Sequence, residues 1–181
     1  MTAIENTIAV YERVRRRRYK ITIEDGTQFI LCFSTDNYHH LVGFQHLTDV
    51  ANVYNPYSKH RFYRSLKNHG IAESQILSSV HFNEIEERIR YFDFIEKIVS
   101  AGECRAIVEF DSRKASSDIA AKFLLFERDG CPLLGQPVTY YNLFIDHDNG
   151  NGLYYPVTYI VEHSVKYISN QNVFDCKIEV I

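Results

Sequence analysis

Apolar positions recur along the first hundred residues with the period of a helix, and along the last eighty with the period of a strand. Ile4, Ile8, Tyr11 and Val14 or Arg15 set a helical stripe through residues 4 to 18, which end in the basic run Arg13 to Lys20. Two β-rich runs then flank Asp25-Gly26, a dipeptide suited to a two-residue hairpin turn with positive φ. A short helical turn follows, capped by Asp36 or Asn37 and ended by Gly43. Ser58 to Gly70 reads as a capped helix, Ala72 to Ser79 as a short one, and Phe82 to Ser100 as one long helix closing at Gly102. Beyond it, five runs rich in β-branched and aromatic residues read as strands: RAIVEF, AAKFLLFERDG, VTYYNLFIDHDNGNG, LYYPVTYIVEH and NVFDCKIEVI. Their order predicts an α+β domain, with N-terminal helices packed on a curved, mainly antiparallel sheet, occupying residues 1–181 as a single unit.

Composition narrows the classes. With 181 residues, 45% of them hydrophobic, the chain supports one core and hardly two. No apolar run reaches the roughly 18 residues of a membrane span, and the N-terminus lacks a basic segment followed by an apolar one. The expected setting is therefore cytoplasmic. Cys32, Cys104, Cys131 and Cys176 stand far apart without zinc-site spacing and are expected as reduced thiols. The net charge of −3 is not that of a dedicated nucleic-acid binder, so an anionic ligand must meet a local basic patch. Arg15, Arg16, Arg17 and Arg18 offer one, against the plainer reading of a solvated helix end.

Candidate chemistry starts at DNYHHLVGFQHL, residues 36 to 47, where three of the eight histidines gather. Adjacent His39 and His40 point about 100° apart on a helical turn, a poor arrangement for two ligands of one metal. No metal or other cofactor is expected. An imidazole that titrates near neutrality suits acid or base work. On the long helix, Ile85, Ile89, Phe92, Ile95 and Val99 share the apolar side, with Glu86, Arg90, Asp93 and Lys97 opposite. Arg88 falls between Ile95 and Val99, on the apolar side. A guanidinium there needs an anionic partner: Glu84 or Glu109 internally, or a ligand phosphate. In LYYPVTYIVEH, Tyr155, Val157, Tyr159 and Val161 share one face by alternation, and Thr158 on the other offers a hydroxyl. DHDNGNG, Asp146 to Gly152, fails the calcium-loop pattern and reads as a hairpin loop.

In order, FILCFSTDNYHHLVGFQHL, EERIRYFDFIEKI, AKFLLFE and YYPVTYIVEHSVKYISNQNVFDCKIEVI resemble a family of phage- and prophage-associated proteins. That family is grouped with the barnase–EndoU–colicin–RelE-like nucleases, and the resemblance covers about residues 15 to 181. It implies an RNase-toxin-type α+β domain. Its His-Leu-x-Gly motif falls on His40 to Gly43, its helix arginine on Arg88 and its hydroxyl motif on Thr158 and Tyr159, with threonine where serine is commoner. A downstream pair falls on Tyr167 and Gln171. The expected function is a metal-independent endoribonuclease using 2′-hydroxyl attack. His40, Arg88, Thr158 and Tyr159 would act catalytically, and His39, the four arginines, Tyr167 and Gln171 would contact RNA. An antitoxin or immunity protein is the expected protein partner. The alternative is a non-catalytic binding or regulatory protein on the same scaffold.

Overall fold

In the computed structural model, which describes residues 2–131, 135–148, 150 and 152–181, the first helix is shorter than its sequence period suggests. It runs Ala3–Arg15 (α1) and opens with a capping box, in which Thr2 Oγ1 accepts from Glu5 N and Glu5 Oε2 accepts from Thr2 N. It stops there because Arg18 already belongs to strand β1 (Arg18–Ile23), exchanging backbone bonds with Ile181. β1 turns into β2 (Gln28–Cys32) through Glu24-Asp25-Gly26. Ile23 N bonds Thr27 O, so the loop holds three residues, not two, and only Gly26 takes a positive φ (90°).

The helical segment that follows is a series of short pieces. They are α2 (Tyr38–Val42), a 3₁₀ turn (Phe44–His46), α3 (Ala51–Tyr54), α4 (Lys59–Lys67) and α5 (Glu73–Leu77). Asn37 stands at the start of α2, but its side chain turns back to accept from Ser34 N and Oγ. Ser58 caps α4 as expected, whereas the left-handed residue at its far end is His69 (φ 59°), not Gly70. The long helix expected over residues 82–100 is two helices, α6 (Asn83–Arg90) and α7 (Phe94–Ile98). At the break Tyr159 Oη donates to Tyr91 O at 2.7 Å, and the local ladder tightens to bonds such as Phe94 N to Tyr91 O. A hydroxyl from a distant strand thus shares the carbonyl at which the ladder passes to three-residue bonds.

The five later strands form where the residue pattern places them: β3 (Gly102–Glu109), β4 (Phe123–Asp129), β5 (Thr139–His147), β6 (Tyr154–Glu162) and β7 (Asn172–Val180). Among the described residues the order is β1-β2-β6-β5-β4-β3-β7, closed by β7 pairing with β1, so the expected curvature goes as far as a barrel. All pairs are antiparallel except the short β2–β6 contact at Leu31 and Tyr154. The main core joins one sheet face (Ile21, Ile107, Leu143, Tyr159, Ile178) to the helices through Tyr11, Tyr38, Ile85 and Phe92. A second cluster of Val108, Phe110, Ala115, Leu124, Phe144 and Tyr167 covers the opposite side of β3 to β6. No helix among the described residues is long and apolar enough to cross a membrane. Cys32, Cys131 and Cys176 are free thiols; the side chain of Cys104, like Asn149 and Asn151 of the DHDNGNG loop, lies outside the described residues.

Candidate active site

Alternation alone misplaces one stretch of β6. Phe144 pairs with Thr158 but Ile145 with Pro156, so Val157 is an extra residue and the strand carries a bulge. Val157 consequently packs with the second cluster while Tyr159 and Val161 pack with the main core, and the expected common face of Tyr155, Val157, Tyr159 and Val161 does not exist. Just past the bulge, Thr158 Oγ1 donates to His40 O at 3.4 Å and faces Arg88 Nη1 at the same distance. Thus β6, α2 and α6 meet at one point, bringing Thr158 and Arg88 to the backbone carbonyl of His40, whose ring is bonded instead to Lys59.

Gly43 makes the meeting possible. It ends α2 with φ +93°, which strains any other residue. A Cβ there would lie 2.9 Å from Ile85 Cγ2 and 3.1 Å from Arg88 Cδ and Nη1. The backbone of α2 is therefore pressed directly against the Arg88 side chain.

Arg88 is half-buried and has no carboxylate within ion-pair distance among the described residues. Its contacts are Thr158 Oγ1 at 3.4 Å and His46 Nε2 at 3.5 Å, both long for hydrogen bonds. Of the two internal partners weighed, Glu109 accepts from Asn172 and Glu84 is taken by histidines, at 2.8 Å from His81 Nδ1 and 3.7 Å from His46 Nδ1. Burial lowers the guanidinium's pKa, against the opposing pull of the Tyr167 and Tyr159 phenols and of Glu84. A guanidinium nonetheless keeps its proton, so a cation stands here with its donors only weakly engaged.

The imidazoles around it differ in kind. His39 is 2% exposed. Its Nε2 donates to Val53 O at 2.7 Å, and burial foremost takes its pKa down to about 4. It is a neutral structural histidine, out of reach of a substrate. His40 is half-buried, with Nε2 at 2.5 Å from Lys59 Nζ. An ammonium only donates, so His40 Nε2 accepts and its proton sits on Nδ1. His46 presents Nε2 to Arg88 and to Gln45 Nε2 (3.3 Å), with Nδ1 turned toward Glu84. Burial, then Lys59, lowers the pKa of His40; burial, then Arg88, lowers that of His46. Both rest neutral at physiological pH.

Other expected residues have partners within the fold. Tyr159 is fully buried and spends its hydroxyl on Tyr91 O, which removes it as a stacking or donating group. Tyr167 packs in the second cluster, with its phenol in electrostatic range of Arg88. Gln171 clamps the backbone of Asp111 through both ends of its amide. Arg15 and Arg16 pair with Glu12, while Arg18 lies in β1. Sequence reasoning missed Lys59, Glu84 as the partner of His46, and the nearness of His46 to Arg88. Only the last had a local signal, the histidine three residues past Gly43. Among the described residues no group of three or more His, Cys, Asp and Glu is placed to hold a metal ion.

Comparison with known proteins adds one finding. A family model described as phage-Barnase-EndoU-ColicinE5/D-RelE like nuclease4 matches residues 3–175. No curated protein and no solved structure matches the chain.

Proposed function

The chain belongs to this nuclease-like family, and from that premise we propose that it is a metal-independent endoribonuclease whose centre is Arg88. The observation that carries the reading is the weakly engaged guanidinium flanked by a hydroxyl and an imidazole. A phosphodiester seated on Arg88 would receive its planar fork and the Thr158 hydroxyl. His46 Nε2 takes the 2′-hydroxyl proton, with Glu84 behind Nδ1 stabilising the cation that forms. The 2′-oxygen attacks phosphorus, and Arg88 holds the charge of the pentacoordinate state. The P–O5′ bond breaks, and the 5′-oxygen takes the proton shared by Lys59 Nζ and His40 Nε2. The products are a 2′,3′-cyclic phosphate and a 5′-hydroxyl. The bound phosphate raises the pKa of His46 from its low resting value, which makes it a stronger base for its step.

Cleavage of labelled RNA in the presence of EDTA tests this. Wild type should yield cyclic-phosphate ends, and His46→Ala and His40→Ala should each lose on the order of 10²- to 10⁴-fold in rate. Equal rates in all three proteins would end the assignment. RNA binding without cleavage in the wild type would favour a non-catalytic binding protein.

A further inference from the structure

Helix α4 joins the site just described to a second cationic feature. Its first residue, Lys59, reaches His40, while the next, His60, is bonded through Nδ1 to Thr35 Oγ1 at 2.7 Å on the rim of a separate cavity. That cavity, about 310 Å³, is lined by Arg15, Thr35, His60, Tyr63, Arg64 and Lys67, among others. At 100° per residue, His60, Arg64 and Lys67 lie within about 60° of one another, so they form a stripe down one side of α4. From Lys59 to Lys67 the helix advances about 12 Å.

The cations of this stripe are unequally engaged. Glu12 accepts from Arg15 at 2.7 Å, from Tyr63 at 2.6 Å and from Lys67 at 3.1 Å. Partial burial opposes its ionisation, but those bonds outweigh it and hold its pKa at about 2. Glu12 is thus a fixed anion that positions Arg15 and Lys67. Arg64 is exposed and makes no side-chain hydrogen bond or ion pair among the described residues. Against one carboxylate, the cavity presents Arg15, Lys67 and Arg64, so positive charge is left over. At the Lys59 end, Tyr57 is 99% exposed, one residue before the capping Ser58. A large ring in water beside a basic track is what a stacked base requires.

We propose that this face of α4 is the track for single-stranded RNA flanking the scissile bond, its phosphates on Arg64, Lys67 and Arg15 and a base on Tyr57. The assignment rests on the nuclease reading for its ligand. The competitor for such a cationic groove is an acidic protein surface; the fully exposed ring at the start of the same helix favours a nucleic acid.

Arg64→Ala is the clean test, because the fold uses no side-chain bond of Arg64. The probe is a labelled single-stranded 2′-O-methyl RNA oligonucleotide, which lacks the 2′-hydroxyl nucleophile and survives cleavage. Binding is followed by fluorescence anisotropy from 50 to 200 mM salt. Each lost phosphate contact should reduce the slope of log K against log salt by about 0.7. Arg64→Ala should therefore weaken binding and flatten the slope by about that amount, and Tyr57→Ala should weaken binding with the slope unchanged. Wild-type affinity and slope in Arg64→Ala would overturn the track and leave the groove to an acidic protein. Failure of the nuclease reading reads out separately, as absence of cleavage of unmodified RNA by a wild type that still binds the probe.

Discussion

Replacing Arg88 with Ala should slow cleavage severely while leaving the fold nearly as stable as before. Had Arg88 been one half of a buried ion pair, its removal would strand a carboxylate at a cost of about 3 to 5 kcal/mol. It is not: Glu84 is held by His81 and His46, and Glu109 by Asn172. What Arg88→Ala removes is two contacts of 3.4 and 3.5 Å, at the weak end of a range worth about 0.5 to 1.5 kcal/mol each, and the packing of the side-chain stem. Relief of an underpaired, partly buried charge offsets part of that loss. The net change should stay under about 2 kcal/mol, a shift of at most about 8 °C for a domain of this size. On the chemical step, removing a preorganised donor to a developing anion costs about 10²- to 10³-fold. Arg88→Lys should fare almost as badly, because the ammonium keeps the charge but loses the two-pronged fork. Melting temperature and cleavage rate for both variants decide the matter. A fall of more than about 10 °C in Arg88→Ala, with cleavage retained in Arg88→Lys, would make the arginine architectural and refute the site.

Acid should destabilise the protein through His39: its folded pKa of about 4 lies below the roughly 6.5 of an unfolded chain, so the unfolded state takes the proton first and stability present above pH 6.5 is lost as pH falls toward 4. At pH 5 that loss is about 2 kcal/mol from this group alone, and denaturant melts at pH 7.5 and 5 should show His39→Gln with a correspondingly flatter dependence; an unchanged dependence would mean that His39 titrates normally. Gly43→Ala should cost about 2 to 4 kcal/mol, from a positive φ and from a Cβ driven against buried Ile85 and Arg88. It should also slow cleavage more than a destabilised but correctly folded fraction explains, and a variant that melts and cleaves like wild type would show that α2 does not seat Arg88.

Local sequence carried much of this architecture. The five late strands follow from runs of β-branched and aromatic residues, and the ends of α2 and α4 from Gly43 and Ser58. What escaped were features set by residues distant in sequence. The break between α6 and α7 falls where the Tyr159 hydroxyl, 68 positions away, bonds the carbonyl of Tyr91. The bulge at Val157 shows only in the register against β5. Closure of the barrel requires β7 to find β1, the two ends of the chain. The site divides in the same way. Arg88 is half-buried in the same helix as buried Ile85 and Ile89, but Ile95 and Val99, between which one continuous helix would have put it, lie beyond the break, on and just after α7. The roles of His39 and His40 were not separable, because neighbours on one turn differ only in what the rest of the fold brings to each: Val53 O to one, Lys59 to the other.

That last contrast bears on how such a centre works at rest. Four groups able to carry positive charge, Arg88, His46, His40 and Lys59, gather around this site, against one nearby carboxylate among the described residues, Glu84. The crowding is tolerable because two of the groups are imidazoles that shed their protons; Arg88 and Lys59 lower the pKa of His46 and His40 respectively. The same coupling runs in reverse when an anion arrives. A phosphate that neutralises Arg88 removes the repulsion suppressing His46 and favours protonation of both rings. Proton uptake and anion binding are therefore linked. Binding of a phosphate-bearing oligonucleotide should take up protons at pH values between the lowered resting pKa values of the two imidazoles and those raised by the bound charge. Calorimetric titration in two buffers of different ionisation enthalpy measures that uptake directly. His46→Ala should reduce it, and zero uptake in the wild type would refute the linkage, because it would mean that neither histidine feels the bound phosphate.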